Sequence, residues 1–188
     1  MIKKLIVLVF LFALISCNKD DDPTMNEYLG IVTVLKDGKE LVKEISIFDN
    51  HRVDSTKPLA LGWVFRTYNS VGELTEIFSM TSIKPVLEKQ FIEGRVDFSP
   101  CGIDCPINVG VVTWIDGDVP HDVYSVDTTA ANNFIHFTNY NSKKAEVEGI
   151  FNVAMVLTRA GNDSSPPPSS IIFSNGKFTV KVKREWFE

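Results

Sequence analysis

The sequence is short of positive charge, histidine and cysteine, and each shortage removes a class of function. Lysine and arginine together number 19 against 24 aspartates and glutamates, a formal net charge of −5. No basic surface is available to release counterions from a phosphate backbone, so no nucleic-acid partner is expected. The three histidines, His51, His121 and His136, and the three cysteines lack the paired spacing of a zinc site, and no metal or cofactor is expected. Gly-x-Ser-x-Gly is absent, and with it the strained elbow that presents a nucleophilic serine. Beyond the N-terminus no apolar run approaches the roughly twenty residues needed to span a bilayer core. No convincing stretch carries a 3.6-residue period and no repeat of fixed length occurs, which leaves β-structure as the organising pattern.

What is present begins with an address. Lys3 and Lys4 precede an apolar run from Leu5 to Ile15. Its length, about eleven residues, suits the hydrophobic region of a secretory signal rather than a spanning helix. The run closes on Leu14-Ile15-Ser16-Cys17, which resembles the bacterial lipobox. That resemblance implies that residues 1–16 are a cleaved signal peptide and that Cys17 becomes the first residue of the mature chain. Its thiol is the nucleophile that accepts a diacylglyceryl group, and several chains of palmitate type hold a membrane durably where one would not. The competing reading is a plain signal peptide with a chance cysteine, or an uncleaved anchor.

Residues 17–26 read as an acidic flexible tether, because Asn18-Lys19-Asp20-Asp21-Asp22-Pro23 has no apolar surface to bury. The lysine followed by acids is similar to the export signal that sends lipoproteins of the Bacteroidota to the outer face of their outer membrane. Surface exposure is therefore expected, with a periplasm-facing anchor as the alternative. Loss of Lys3 and Lys4 with the signal leaves 19 − 2 = 17 cations, and a mature charge of 17 − 24 = −7.

Assigning Cys17 to lipid leaves Cys101 and Cys105, and an even remainder in an oxidising compartment argues for a disulfide. Gly102 and Asp104 between them favour a tight turn, and so small a loop would stabilise by only ~2 kcal/mol. The alternative, a metal or redox site, has no second Cys or His pair to complete it.

Residues 27–188 form one body in which apolar residues alternate with polar ones. Tyr28 to Lys36 and Lys39 to Phe48 flank Asp37-Gly38, a hairpin dipeptide. Leu61 to Tyr68 and Leu74 to Ile83 are joined by Asn69 to Gly72, although Glu76 and Ile77 break the alternation of the second strand. Phe91 to Phe98 and Ile107 to Ile115 surround the cysteine loop, and Phe134 to Tyr140 precedes a long strand through Val147 and Leu157. Ala160 to Ser170, with Pro166-Pro167-Pro168, must be an exposed loop. Ile171 to Ser174 and Lys177 to Lys183 then read as a hairpin turning at Asn175-Gly176. About ten antiparallel strands in roughly 160 residues predict an all-β fold, a two-sheet β-sandwich, with a closed β-barrel as the alternative.

Three segments carry a further resemblance: Asn133 to Tyr140, Val147-Glu148-Gly149-Ile150-Phe151-Asn152-Val153, and Phe173 to Val180 around Asn175-Gly176-Lys177-Phe178. They are similar to the C-terminal half of a family of small Bacteroidota surface lipoproteins of unknown function. Ile150 and Asn152 depart from its pattern, where a further aromatic is expected, and so do the proline loop and the cysteine loop. The resemblance implies fold and address and transfers no catalytic residue.

Chemistry has few candidates. His136 lies inside a strand, whereas His51 and His121 read as loop residues beside Asp49, Asp54 and Asp122, and a metal site would require those loops to converge. Asp116-Gly117-Asp118 resembles half of a calcium loop, but the remaining ligands are missing and an Asp-Gly turn is the better reading. The candidate ligand-binding set is Trp114, Asp116, Asp118 and His121, at a strand end beside acids, with Tyr140. The expected function is a non-enzymatic binding or accessory module, anchored in the membrane by lipid, with a glycan or an envelope protein as its partner. The alternatives are a glycan-binding module with an exposed aromatic platform near Trp114 or Tyr140, and a hydrolase with a loop site around His121.

Overall fold

A computed structural model describes residues 28–52, 58–94, 105–162 and 164–188. Cys17, the tether and Cys101 lie outside the described residues, and so does most of the cysteine loop. Ten strands follow one another: β1 (Tyr28–Lys36), β2 (Lys39–Arg52), β3 (Pro58–Tyr68), β4 (Leu74–Ile83), β5 (Lys89–Phe91), β6 (Asn108–Ile115), β7 (Val119–Val126), β8 (Phe134–Asn141), β9 (Glu146–Arg159) and β10 (Ser170–Lys181). A single 3-10 turn, Arg184–Trp186, ends the described chain.

Local chemistry explains the joints. Asp37 and Gly38 take φ of 49° and 79°, and Asp116 and Gly117 take 55° and 79°. Two successive positive φ values match the twist of paired strands, so Asp37-Gly38 closes a two-residue hairpin and Asp116-Gly117, with Asp118, a three-residue one.

The strands are joined in the order β10-β1-β2-β3-β4-β6-β7-β9, and β10 also pairs with β9. The ring therefore closes as an antiparallel eight-stranded barrel, the alternative to the expected sandwich. Alternation gives every strand one apolar face but does not say whether the sheet divides or rolls up. The closing contact, Gly30 opposite Val180, joins positions too far apart in sequence for any local signal. β9 serves two neighbours on one side: Glu146 to Asn152 pair with β8, and Met155 to Arg159 with β7. β8 and then β5 thus continue outside the ring as a side ribbon.

Three further expectations are corrected. Asn175-Gly176 does not turn a hairpin; β10 runs straight through it, with the register to β9 shifting between Phe173 and Gly176. Asn175 has φ of 54°, and a Cβ on Gly176 would lie 2.2 Å from the Phe151 ring. A left-handed residue followed by glycine suits a bulge as well as a turn, and packing against Phe151 selects the bulge. His121 belongs to β7 and the His51 backbone to β2, so neither is a loop residue. Of the strand expected from Phe91 to Phe98, Phe91 lies in β5, residues 92–94 follow it outside any strand, and residues 95–98 lie outside the described residues.

The interior is filled. Trp63 is 1% exposed, with Phe151, Phe178 and Phe78 ring centroids at 4.7, 5.1 and 5.7 Å. Phe65 stacks on Phe78 at 4.7 Å and Phe173 meets Phe78 edge-on at 4.9 Å. Eight strands leave room for side chains or for one small ligand, and here aromatic rings take the room. At the end where β1 begins, Trp186 packs against Tyr28 at 5.2 Å and Phe187 against Phe137 at 5.3 Å, closing the base. The opposite end, the rim, holds the two Asp-Gly hairpins and the described residues 160–162 and 164–169 between β9 and β10.

Candidate functional site

The β6–β7 hairpin carries Trp114, Asp116 and Asp118 to the rim. The register between these strands shifts between Val112 and Trp114, which sets both His121 and Asp122 opposite Thr113. Asp122, 7% exposed, is consequently a hub. Its Oδ1 accepts the Gly161 N–H at 2.8 Å and lies 3.3 Å from His121 Nδ1. Its Oδ2 accepts the Thr113 hydroxyl at 3.2 Å, and its own N–H donates to Thr113 Oγ1 at 2.9 Å. Burial pushes the Asp122 carboxyl upward, but the Gly161 amide, His121 and Thr113 outweigh it and hold the group below its ordinary value.

The loop between β9 and β10 is strapped at two points, since the Tyr124 hydroxyl also donates to the Pro168 carbonyl at 3.1 Å. Burial raises the Tyr124 phenol, with Asp122, Glu76 and Asp37 adding to the effect. Gly161 sits so close to the imidazole that a Cβ there would lie 1.7 Å from His121 Nε2. A shallow cleft of about 360 Å³ lies beside this brace, lined by Ile115, Val119, Pro120, His121, Arg159 and Gly161 among others.

Nucleophilic catalysis needs a hydroxyl bonded to the base. Here the Thr113 hydroxyl goes to one carboxylate oxygen, and the other is committed to holding the loop through the Gly161 N–H. Further round the rim, Lys36 forms an ion pair with Glu76, which is 8% exposed and faces inward in line with Phe78 and Met80. Among the described residues no group of three or more His, Cys, Asp or Glu is placed to hold a metal ion.

The candidate residues of the sequence divide. Trp114 is half-buried, its indole N–H buried without a hydrogen-bond partner, and Asp116 and Asp118 are exposed in the hairpin turn, where they shape the backbone. His121 joins them at the rim. Tyr140 does not: it pairs with Val147 near the start of β9, whereas β7 meets β9 as far along as Arg159. Those twelve residues, 159 − 147, amount to about 40 Å of strand. Tyr140 stacks on Phe187 at 5.2 Å and donates to the Arg184 carbonyl at 3.4 Å, so it closes the base. Cys105 is half-buried just ahead of β6.

Sequence reasoning missed a second surface, the outer face of the side ribbon. Register places Phe91, Phe134 and Asn152 in one row across β5, β8 and β9. It places Lys89, His136, Ile150 and Lys177 in the next row, which reaches β10. Phe91 is 62% exposed, and Lys89 Nζ lies 5.3 Å from its ring centroid and 4.2 Å from that of Phe134. The rows open into a cleft of about 360 Å³ between Phe134, Asn152, Asn175 and Lys177, and a neighbouring one of about 230 Å³ shares Asn152. The available signal was apolar residues at solvent-phase positions: Phe134, Ile150 and Ile172 all fall on the polar beat of their strands.

No protein-family model, no curated protein and no solved structure matches this chain.

Proposed function

We propose that the chain is a non-enzymatic binding or accessory module of the bacterial cell envelope, related to the small Bacteroidota surface lipoproteins and held on the outer membrane through lipid on Cys17. The observation that carries this reading is the combination of a filled barrel with a rim whose acid is consumed in bracing. Trp63 and its neighbouring phenylalanines occupy the space where an internal ligand would sit, and Asp122 is tied to Thr113 and Gly161. Recognition then falls to the outer surface. The hydrolase reading around His121 draws no support from a rim whose hydroxyl and carboxylate satisfy each other.

In this reading the tether joins the lipid on Cys17 to β1, which starts at Tyr28 at the base of the barrel. In the same reading Cys101 and Cys105 pair as a disulfide that pins the loop ahead of β6.

Expression of the full chain and its Cys17→Ser variant in a lipoprotein-processing bacterium tests the anchor. The wild-type protein should partition with outer membranes and give a mature N-terminal peptide carrying the mass of a lipidated cysteine, while the variant should be released in soluble form. Protease shaving of intact cells should degrade the wild-type protein, separating an outward from a periplasm-facing anchor. An unmodified Cys17 in membrane-bound protein would overturn the localisation.

A further inference from the structure

We infer that the outer face of the β5–β8–β9–β10 ribbon is a binding site for an acidic carbohydrate, a chain of sugar rings bearing carboxylate or sulfate groups. This inference rests on reading the chain as a binding module and names the ligand class and its place. The chain is acidic overall, at −5, yet neither of the two rows carries an aspartate or glutamate; the nearest acid on β9 in this phase is Glu148, one position further along. Lys89 and Lys177 stand in them without a carboxylate partner among the described residues. Two ammonium groups that the protein leaves uncompensated in an otherwise acidic surface are complementary to an anion.

The remaining groups say which anion. Phe91 and Phe134 lie side by side across the β5–β8 pair, and Phe91, largely exposed, presents apolar ring surface to the apolar side of a pyranose. Lys89 is held over both rings, so its charge is positioned before any ligand arrives. Next along the row stand amides. Asn152 Oδ1 accepts the N–H of Asn175 at 2.7 Å, which leaves its amide nitrogen as a donor in the cleft. Asn175 is left-handed within the bulge of β10, and bulges of this kind re-aim a side chain at a functional surface. Aromatic faces, fixed amides and two cations across four strands span about 14 Å. That width accommodates roughly two to three sugar rings laid across the strands.

A lipid headgroup surface and a second copy of this chain are the other occupants that exposed phenylalanine and lysine would suit. Both present flat, extended surfaces, whereas the amides here line clefts of about 360 and 230 Å³. Carbohydrate hydroxyls use such donors.

The full-length lipoprotein in detergent, screened on an array of carboxylated, sulfated and neutral oligosaccharides, tests the inference. Binding to acidic members, weakened by added salt, is expected. Phe91→Ala should weaken it about tenfold and Lys177→Met about threefold. Unchanged melting temperatures would show that both variants fold, as their exposure predicts. Binding to no acidic glycan, equal binding to neutral ones, or binding indifferent to both substitutions would overturn it. So would Phe91-dependent binding to phosphatidylglycerol vesicles, or a Phe91-dependent dimer in size-exclusion chromatography, without glycan binding. Lipidation of Cys17 is read separately, so failure here leaves the anchored module standing, and failure of the anchor leaves this surface standing.

Discussion

Replacing Asp122 with asparagine separates a brace from a catalytic group. The asparagine keeps the shape but has one acceptor where the aspartate has two, while Gly161 N–H, His121 Nδ1 and the Thr113 hydroxyl all approach those oxygens. With its nitrogen turned toward Thr113, whose hydroxyl accepts as well as donates, the amide keeps its contacts but loses the charge. Losing the charge from these buried hydrogen bonds costs about 1–2 kcal/mol. For a domain of this size that lowers the melting temperature by about 2–8 °C.

The difference depends on pH with a definite sign. Asp122 is held below its ordinary value of 3.8, so its contribution is present above about pH 4 and is lost as pH falls through the lower folded-state value. Thermal melts of both proteins from neutral to strongly acidic pH should therefore converge only below about pH 4. Trypsin supplies a local readout, since Arg159 ends β9 at the loop that Asp122 holds. Cleavage there should accelerate in the variant. Equal stability of the two proteins at neutral pH, or a gap that persists unchanged into strong acid, would refute the brace.

Two further outcomes follow from packing. Lys36→Met should cost about 3 kcal/mol by urea titration, because Glu76 is left 8% exposed without its cation, and adding Glu76→Leu should recover most of the loss. Gly149→Ala should cost about 3 kcal/mol, since the new Cβ would lie 2.2 Å from the Phe178 ring and 2.7 Å from the His136 carbonyl oxygen. Trimming the ring with Phe178→Leu should rescue it only in part, because the carbonyl cannot withdraw; full rescue would show the backbone contact to be harmless.

Strands were legible where alternation was long and hairpins where two left-handed residues were needed. Leu74 to Ile83 stands with both bounds as read, and so does the Asp37-Gly38 turn. Glu76 looked like a break in alternation because a carboxylate is rarely aimed inward; the period was intact, and Lys36 supplied the missing cation from forty residues away. Asn175-Gly176 was misread because the same pair of residue types serves a turn and a bulge, and only the ring of Phe151 across the sheet decides. The rim site was half legible. Pro120 and the Asp116 turn disguised β7 as a loop, and nothing local ties Asp122 to Gly161, 39 positions on. The ribbon surface was hidden for the opposite reason: its phenylalanines and isoleucines look like core until the ring closes without them.

That closure has a consequence for how the protein comes into being. Every wall contact but one joins strands adjacent in the meander or separated by a single ribbon strand, whereas β1 meets β10 across 180 − 30 = 150 residues at Gly30 and Val180. Until the last strand emerges, the curling sheet exposes β1 and β9 as two raw edges, each a template for pairing with another molecule. A chain synthesised from its N-terminus must therefore wait with its first strand unpartnered on one side. Its folding rate is set by its slowest and latest contact, and truncation within β10 converts a sealed cylinder into a sticky sheet.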